Sequence, residues 1–589
     1  MNYQKMTPAL NALMHDFEHP RVGGLSASLQ SFGIVQTDAT ADPSVVVKVR
    51  IDDKPETVAR LAKIGVTVNE PTRSEAGRKN GYVARTAYLP ISALGSLSDD
   101  PSVRRISPGR YLNLLLDTAA VAVNLPAYKA ATGDTGKGVV VGIVDSGLDC
   151  SHPAFAGRVL RVWDQTLAGA GVPGRSYGTE FVAPTFTGTT DTHGHGTHVA
   201  GIAAGNDATY QGVAHEANIV FVKTTMMDAH IADGVEYIFD VAASLGLPAV
   251  VNLSLGGHHD PHDGTDDLSH RIDLVSGPQR IVVCAAGNEG SQDIHAHTSI
   301  APSGADTINF GVANPAMIPV LNGWYPGTFE LEIAVESPSG LMTPFQGVIL
   351  AGSPSRIYPL TDGTIRMTTN GPDPVSGDHN FFVEVLGASP LGQVAAGVWK
   401  LHVRRGPTAG PAGDLHIWSM EGHNIGQVPF VSGSGVPGHK VGSPGASGQA
   451  VTVACLCTKN SWTDATPAPQ SIPSLTVGGL AFFSSDGPLR NGAQKPDFTA
   501  PGAVIASAMS SASLPLPKNR LLGGFTIMMG TSMAAPFVTG LVALLLQKDP
   551  TLDPAGVKAK LKARSAIPGG APGAWDAHWG YGIIDMATP

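Results

Sequence analysis

Ser532 lies in Gly530-Thr531-Ser532-Met533-Ala534-Ala535-Pro536, directly ahead of the apolar run Phe537 to Leu546. A hydroxyl on a glycine turn that enters a buried helix is a candidate nucleophile, because the positive helix end and its free N–H groups lie beside it. Pro536 is expected in the first turn of that helix, where a missing N–H costs nothing. A Thr-Ser pair alone would be an ordinary N-cap, so chemistry requires partners elsewhere in the chain. Asp145 closes the apolar run Val139 to Val144. His195 stands among small residues in His193-Gly194-His195-Gly196-Thr197-His198-Val199-Ala200-Gly201. Asn288 ends Ala285-Ala286-Gly287-Asn288 after a second apolar run. An imidazole can take the serine proton, and a buried carboxylate can hold its tautomer. A side-chain amide, with the Ser532 N–H, can stabilise a tetrahedral oxyanion. Taken singly, each stretch reads as a turn or a structural histidine; their joint occurrence points to acyl transfer.

The elements that must hold these residues follow from hydrophobic patterning. Val139 to Val144, Ile219 to Lys223, Ala249 to Ser254 and Ile281 to Ala286 are nearly continuous apolar runs, as in strands buried on both faces of a parallel sheet. Helical stretches such as Ala232 to Ser244 separate them, which predicts a doubly wound, mostly parallel α/β sheet with its site at the carboxyl ends of the strands. Residues 45–117 read as a small α+β domain of strand, helix, strand, helix and strand, followed by the extended leucine-rich stretch Tyr111 to Asp117. Residues 1–44 read as an extension with weak helical patterning. Residues 304–444 carry short alternating segments with Ser-Pro, Asn-Gly and Gly-Pro punctuation, the pattern of an all-β insertion of sandwich or jelly-roll type. The α/β domain is thus expected in two parts, 118–303 and 445–589.

Five stretches match the signatures of the subtilisin-like serine peptidases: Asp145-Ser146-Gly147, the passage from His195 to Gly201, Asn252-Leu253-Ser254-Leu255-Gly256-Gly257, Ala286-Gly287-Asn288, and Gly530 to Pro536. Phe483 to Pro488, Lys495-Pro496-Asp497 and Ala500-Pro501-Gly502 match a further stretch of that family. The chain therefore resembles a subtilase over roughly 120–303 and 445–589, with triad members in the order Asp, His, Ser. The resemblance implies that Asp145, His195 and Ser532 are the triad and Asn288 the oxyanion donor. It implies that Ser254, Leu255 and Gly256 form an edge to which an extended protein or peptide substrate adds as a strand. Ala285, Ala286 and Gly287 would wall the P1 pocket. Residues 45–117 resemble the family's propeptide, an intramolecular chaperone and inhibitor, with self-cleavage expected within 112–121 and Leu114 to Leu116 suiting an apolar P1. The insertion, through Gly397 to Val403 and Gly413 to Trp418, resembles a jelly-roll hairpin of proprotein-convertase P-domains and of the insert in Csp-type germination proteases. Two alternatives to a general endopeptidase stay open: a maturation protease dedicated to one partner, and a pseudoprotease acting as a binding scaffold.

The totals exclude other classes. With 42% hydrophobic and 15% charged residues the chain is globular, and a net charge of −10 without a basic stripe argues against nucleic acid. Four cysteines make no disulfide framework, and Cys284, inside an apolar run, reads as a small buried hydrophobe. Met1 to Pro20 lacks an apolar signal core and no stretch approaches a membrane span, so the expectation is a cytoplasmic protein without membrane contact. No cofactor is required; structural calcium is carried by the family resemblance alone. His193 and His198 are assigned structural roles. The stretch His258-His259-Asp260-Pro261-His262-Asp263 lacks metal-ligand spacing and reads as a solvated loop.

Overall fold

The computed structural model describes residues 1–18, 34–35, 44–52, 54–69, 82–108, 113–114, 121–387, 392–407, 410–421 and 427–587. The chain divides into two compact units. One comprises 1–71, 75–111 and 292–437; the other comprises 72–74, 112–291 and 438–589.

The second unit is built on a ten-stranded sheet. Its parallel centre runs, in spatial order, Phe498–Ala503, Val451–Cys457, Arg280–Ala285, Ala249–Leu253, Val140–Asp145, Asn218–Lys223 and Val159–Asp164. Chain order reverses between Val140–Asp145 and Ala249–Leu253. Such a switch point opens a crevice at the carboxyl ends of the strands. Successive side chains serve opposite faces. Val141 and Ile143 pack under the helices His195–Ala204 and Thr531–Lys548. Val140 and Val144 pack under Asp228–Ser244 and Asp267–Val275. Cys284 is fully buried in this second layer. Among the described residues Thr531–Lys548 is the one helix long and apolar enough to cross a membrane, and it is buried against the sheet.

The first unit holds an antiparallel sheet in which Ser44–Ile51 pairs with Val83–Pro90 and Val103–Pro108, with helices Pro55–Ala62 and Leu94–Asp99. It also holds a two-sheet antiparallel sandwich. The sheets are His295–Ile300, Gly413–Ser419, Val320–Tyr325, His379–Leu386, Gly363–Asn370 and Ser355–Leu360, and Ala305–Val312, Gly397–Arg405 and Leu331–Glu336. Both sheets contribute to one core, which includes Phe310, Val383, Trp399 and Leu401.

Three expectations need revision here. The N-terminal stretch is not a bare extension, because Pro8–Glu18 is a helix whose Leu10, Leu13 and Met14 are buried. These residues share a core with Val47 and Ile106 and with Val320, Phe382 and Met420 of the sandwich, so 1–108 and the insertion bury apolar surface together. Arg105 reinforces the join with an ion pair to Asp373 at 3.2 Å. The unit containing the sandwich begins at Gln292, upstream of 304, because His295–Ile300 pairs with Gly413–Ser419.

Candidate active site

Asp145 ends its strand at the switch point and is fully buried. Its Oδ1 accepts from Ser146 N–H and meets His195 Nδ1 at 2.7 Å. An ionised carboxylate only accepts, so Nδ1 carries the ring proton and Nε2 keeps the lone pair that a general base needs. His195 is the first residue of its helix and is fully buried. Asp191 fixes that helix start: its Oδ1 accepts from Gly194 N–H and Ser146 Oγ, and its Oδ2 from Thr197 N–H. Gly196 permits the approach, since a Cβ there would stand 2.3 Å from the Gly147 carbonyl and 3.1 Å from Asp145 Cβ.

Ser532 is the second residue of Thr531–Lys548. Pro536 therefore lies inside the helix, past the first turn in which the sequence had put it. A proline there cannot donate to the carbonyl four residues back, which is that of Ser532. Ser254 Oγ donates to this carbonyl instead, at 2.6 Å. Asn252 steadies the hydroxyl through an Nδ2–H bond at 2.9 Å, while its Oδ1 accepts from Thr539 in the same helix. Ser532 Oγ in turn donates to the Ser254 carbonyl at 3.0 Å. The serine is thus tied to the end of Ala249–Leu253 on both its backbone and its side chain.

Asn288, half-buried, follows Arg280–Ala285. Its Oδ1 accepts from Thr531 N–H at 3.0 Å, and Thr531 Oγ1 lies 3.0 Å from the same oxygen. With the carbonyl end occupied, the Nδ2–H₂ end is left to donate outward. Ala285 and Ala286 are buried and Gly287 is half-buried beside them.

Leu255–Gly256 forms a short strand whose partner is Asn113–Leu114, antiparallel, with Leu255 opposite Leu114 and Gly256 opposite Asn113. The edge that matches the family's substrate site is therefore occupied by this chain's own residues. The remainder of Tyr111 to Asp117, and the 115–120 part of the expected cleavage range, lie outside the described residues. Ser532, His195 and Asp145 have no solvent-exposed surface.

The other histidines behave differently from one another. His198 is buried, its Nε2–H donates to the Thr526 carbonyl at 3.1 Å, and burial pushes its pKa down to about 3. His193 stands edge-on to His195 with ring centres 6.1 Å apart, and burial and the neighbouring His195 lower its pKa. The stretch from His258 to Asp263 is not a solvated loop: His258, His259, Asp260 and His262 are all buried, and His258, Asp260 and His262 have polar partners within the unit. Sequence reasoning missed Thr531, Asp191 and the side-chain role of Ser254. Only the fixed offset between Asp191 and the His195 helix could have signalled one of them.

Fold and site define the class, a doubly wound α/β protein with a carboxylate–imidazole pair and a helix-start serine at one sheet end. The chain belongs to the subtilase family, whose sequence profile matches residues 136–316 and 408–582. It is similar to the PI-type proteinase of Lactococcus lactis subsp. cremoris, 24% identical over 546 residues, covering 83% of this chain and 27% of that protein. It is also similar to the subtilisin-like protease PopC of Myxococcus xanthus, 28% identical over 295 residues, covering 47% of this chain and 54% of that one. The chain thus spans about a quarter of the lactococcal relative. Among solved structures, the Clostridium perfringens CspB protease shares the fold, with a TM-score of 0.65 at 23% identity over 79% of this chain and 96% of that one.

These relatives overturn the expectation of a cytoplasmic protein. The chain is also similar to the subtilisin-like protease SBT3.4 of Arabidopsis thaliana, 24% identical over 558 residues, covering 82% of this chain and 66% of that protein. That protease and the lactococcal proteinases are secreted or anchored at the cell envelope, a finding that the missing apolar core in Met1 to Pro20 does not outweigh. Subtilases are generally cofactor-independent and often bind calcium. Among the described residues no group of three or more His, Cys, Asp or Glu is arranged to hold a metal ion.

Proposed function

We propose that this chain is a serine endopeptidase with Asp145, His195 and Ser532 as its triad and Asn288 with the Ser532 N–H as its oxyanion donors. The observation that carries the reading is the 2.7 Å bond from His195 Nδ1 to Asp145, at the same sheet end as Ser532. Ser532 Oγ attacks the scissile carbonyl carbon and gives its proton to His195 Nε2. The imidazolium, held by Asp145, passes that proton to the leaving amine as the acyl-enzyme forms. Water then attacks the acyl carbon and gives a proton to His195, which returns it to Ser532 Oγ as the C–Oγ bond breaks and the acid leaves. The serine hydroxyl must first turn from the Ser254 carbonyl towards His195, a tightening that unliganded sites commonly need. The names of the relatives, proteinase and protease, favour the same activity.

The enzyme is read as a self-processing zymogen. Asn113–Leu114 paired on Leu255–Gly256 supports this, because a substrate would add to the same edge in the same antiparallel sense. On that register the chain runs from Gly256 towards Ser254, so the cut falls after Leu114, within 115–121, with Ser254, Leu255 and Gly256 as the substrate edge. Ala285, Ala286 and Gly287 serve as the P1 wall and favour an apolar residue. Segment 45–117 serves as the inhibitor, and the sandwich, which begins at Gln292, shares a core with it. Intact-mass analysis of wild type and S532A tests the zymogen: wild type shortened at 115–121 and S532A uncleaved is the expected result. Identical uncleaved masses, with wild type active on a peptide, would sink it.

A further inference from the structure

Glu289, next to the oxyanion asparagine, is buried although it carries a charge. Its Oε2 accepts from the Asn288 N–H at 2.7 Å and from Ser485 Oγ at 3.0 Å, and Ser485 Oγ accepts the Glu289 N–H at 3.0 Å. His258 Nε2 stands 3.4 Å from the same oxygen. The carboxylate also lies flush against Gly287, where a Cβ would stand 2.7 Å from Glu289 Oε2. Behind it, His258 Nδ1 faces His262 Nε2 at 3.4 Å with the rings stacked 5.1 Å apart. His262 borders Asp260, at 3.7 Å from Nε2 to Oδ1. Asp260 accepts from Ser443 N–H, and the Ser443 carbonyl accepts from Gly257 N–H at the end of the substrate edge. A carboxylate–imidazole–imidazole–carboxylate row therefore links the edge strand to the oxyanion loop.

We infer that Glu289, clamped by His258 and Ser485, is a positioning residue for the oxyanion donor: it fixes the backbone of Asn288 while Thr531 fixes the amide oxygen. The inference rests on the role proposed above for Asn288. An amide tied only at its oxygen can still swing with its backbone, and a donor that is not preorganised loses its advantage over water. Burial alone would raise the Glu289 pKa, but the His258 bond and charge, the Ser485 hydroxyl and the Asn288 N–H outweigh it and hold the carboxyl below its ordinary range. The carboxylate is therefore charged at neutral pH, as the clamp requires.

A kinetic double-mutant cycle tests this on the processed enzyme. E289A should lower kcat about ten- to a hundredfold with KM changed less than about twofold, the pattern for loss of an interaction made only in the transition state. A peptide aldehyde, whose hemiacetal oxygen occupies the oxyanion position, should lose affinity in parallel. E289Q, which keeps an acceptor for the Asn288 N–H, should recover most of kcat. In an N288A background E289A should cost nothing further, since both changes remove one function. If E289A does not fold, H258N carries the cycle, with a fall in kcat that disappears in N288A. Equal losses in both backgrounds, or a raised KM at unchanged kcat, would overturn the inference and leave the triad intact. Hydrolysis that survives S532A would overturn the catalytic reading itself and this one with it.

Discussion

On the proton-transfer side of the site, Asp145 and His195 meet through a 2.7 Å bond, and a further carboxylate, Asp191, sets the helix start. On the oxyanion side, Asn288 is gripped at its side-chain oxygen by Thr531 and at its backbone by Glu289, and Glu289 leans on His258, His262 and Asp260. The difference follows from where each residue sits. Asp145 is the last residue of a strand and His195 the first of a helix, so regular structure holds both. Asn288 is in a loop with no ladder of its own, and side chains must supply what secondary structure does not. Ser532 belongs to both sides, through its helix start and through Ser254.

Substitutions can break this comparison, and they rank by size. S532A removes what both sides serve and should lower kcat about 10⁶-fold, the scale known for loss of a subtilisin nucleophile. D145N keeps the shape but favours the wrong imidazole tautomer, and should lower kcat about 10⁴-fold in steady-state peptide hydrolysis. N288A should cost about a hundred- to a thousandfold, the magnitude known for the subtilisin oxyanion asparagine, with little change in KM. If D145N cost less than N288A, the proton-transfer side would not be the more demanding half.

Smaller effects are read in stability. S254A strands the Ser532 carbonyl and should cost about 1–3 kcal/mol in denaturant unfolding. The penalty should shrink in a P536A background, where the returned N–H can reach that carbonyl. A further consequence concerns pH. Burial holds His198 down to about 3 and His230 to about 4, against an ordinary 6.5. Below 6.5 the unfolded chain takes up protons that these folded residues refuse, so their contribution is complete above 6.5 and is lost as pH falls towards 4 and 3. Each histidine should contribute a slope of about 1.4 kcal/mol per pH unit in that window. H198N should remove one such share from the stability–pH curve.

Much of this architecture was legible in the amino-acid order. Val139 to Val144 and Ile281 to Ala286 could be read as buried parallel strands because both faces of such strands are apolar. Asp145, His195, Asn288 and Ser532 were legible because small residues and glycines at fixed offsets accompany them. What escaped depends on partners far apart in the chain. Thr531 and Asn288 lie 243 residues apart, and Ser254 and Ser532 lie 278 apart. No local periodicity records such a pairing. The stretch from His258 to Asp263 reads as solvated because every residue but Pro261 is polar; Glu289 and Ser443, which make burial tolerable, come later in the chain. The helix Pro8–Glu18 looked unattached because part of the surface it covers, around Val320 and Phe382, belongs to the insertion.

The central claim is that Ser532 is an activated nucleophile. It is tested most directly by treating processed protein with a fluorophosphonate and mapping the adduct by peptide mass spectrometry. A single adduct on Ser532, absent from S532A, is the predicted result. A folded, processed wild type left unlabelled, or an adduct that persists in S532A, would contradict it.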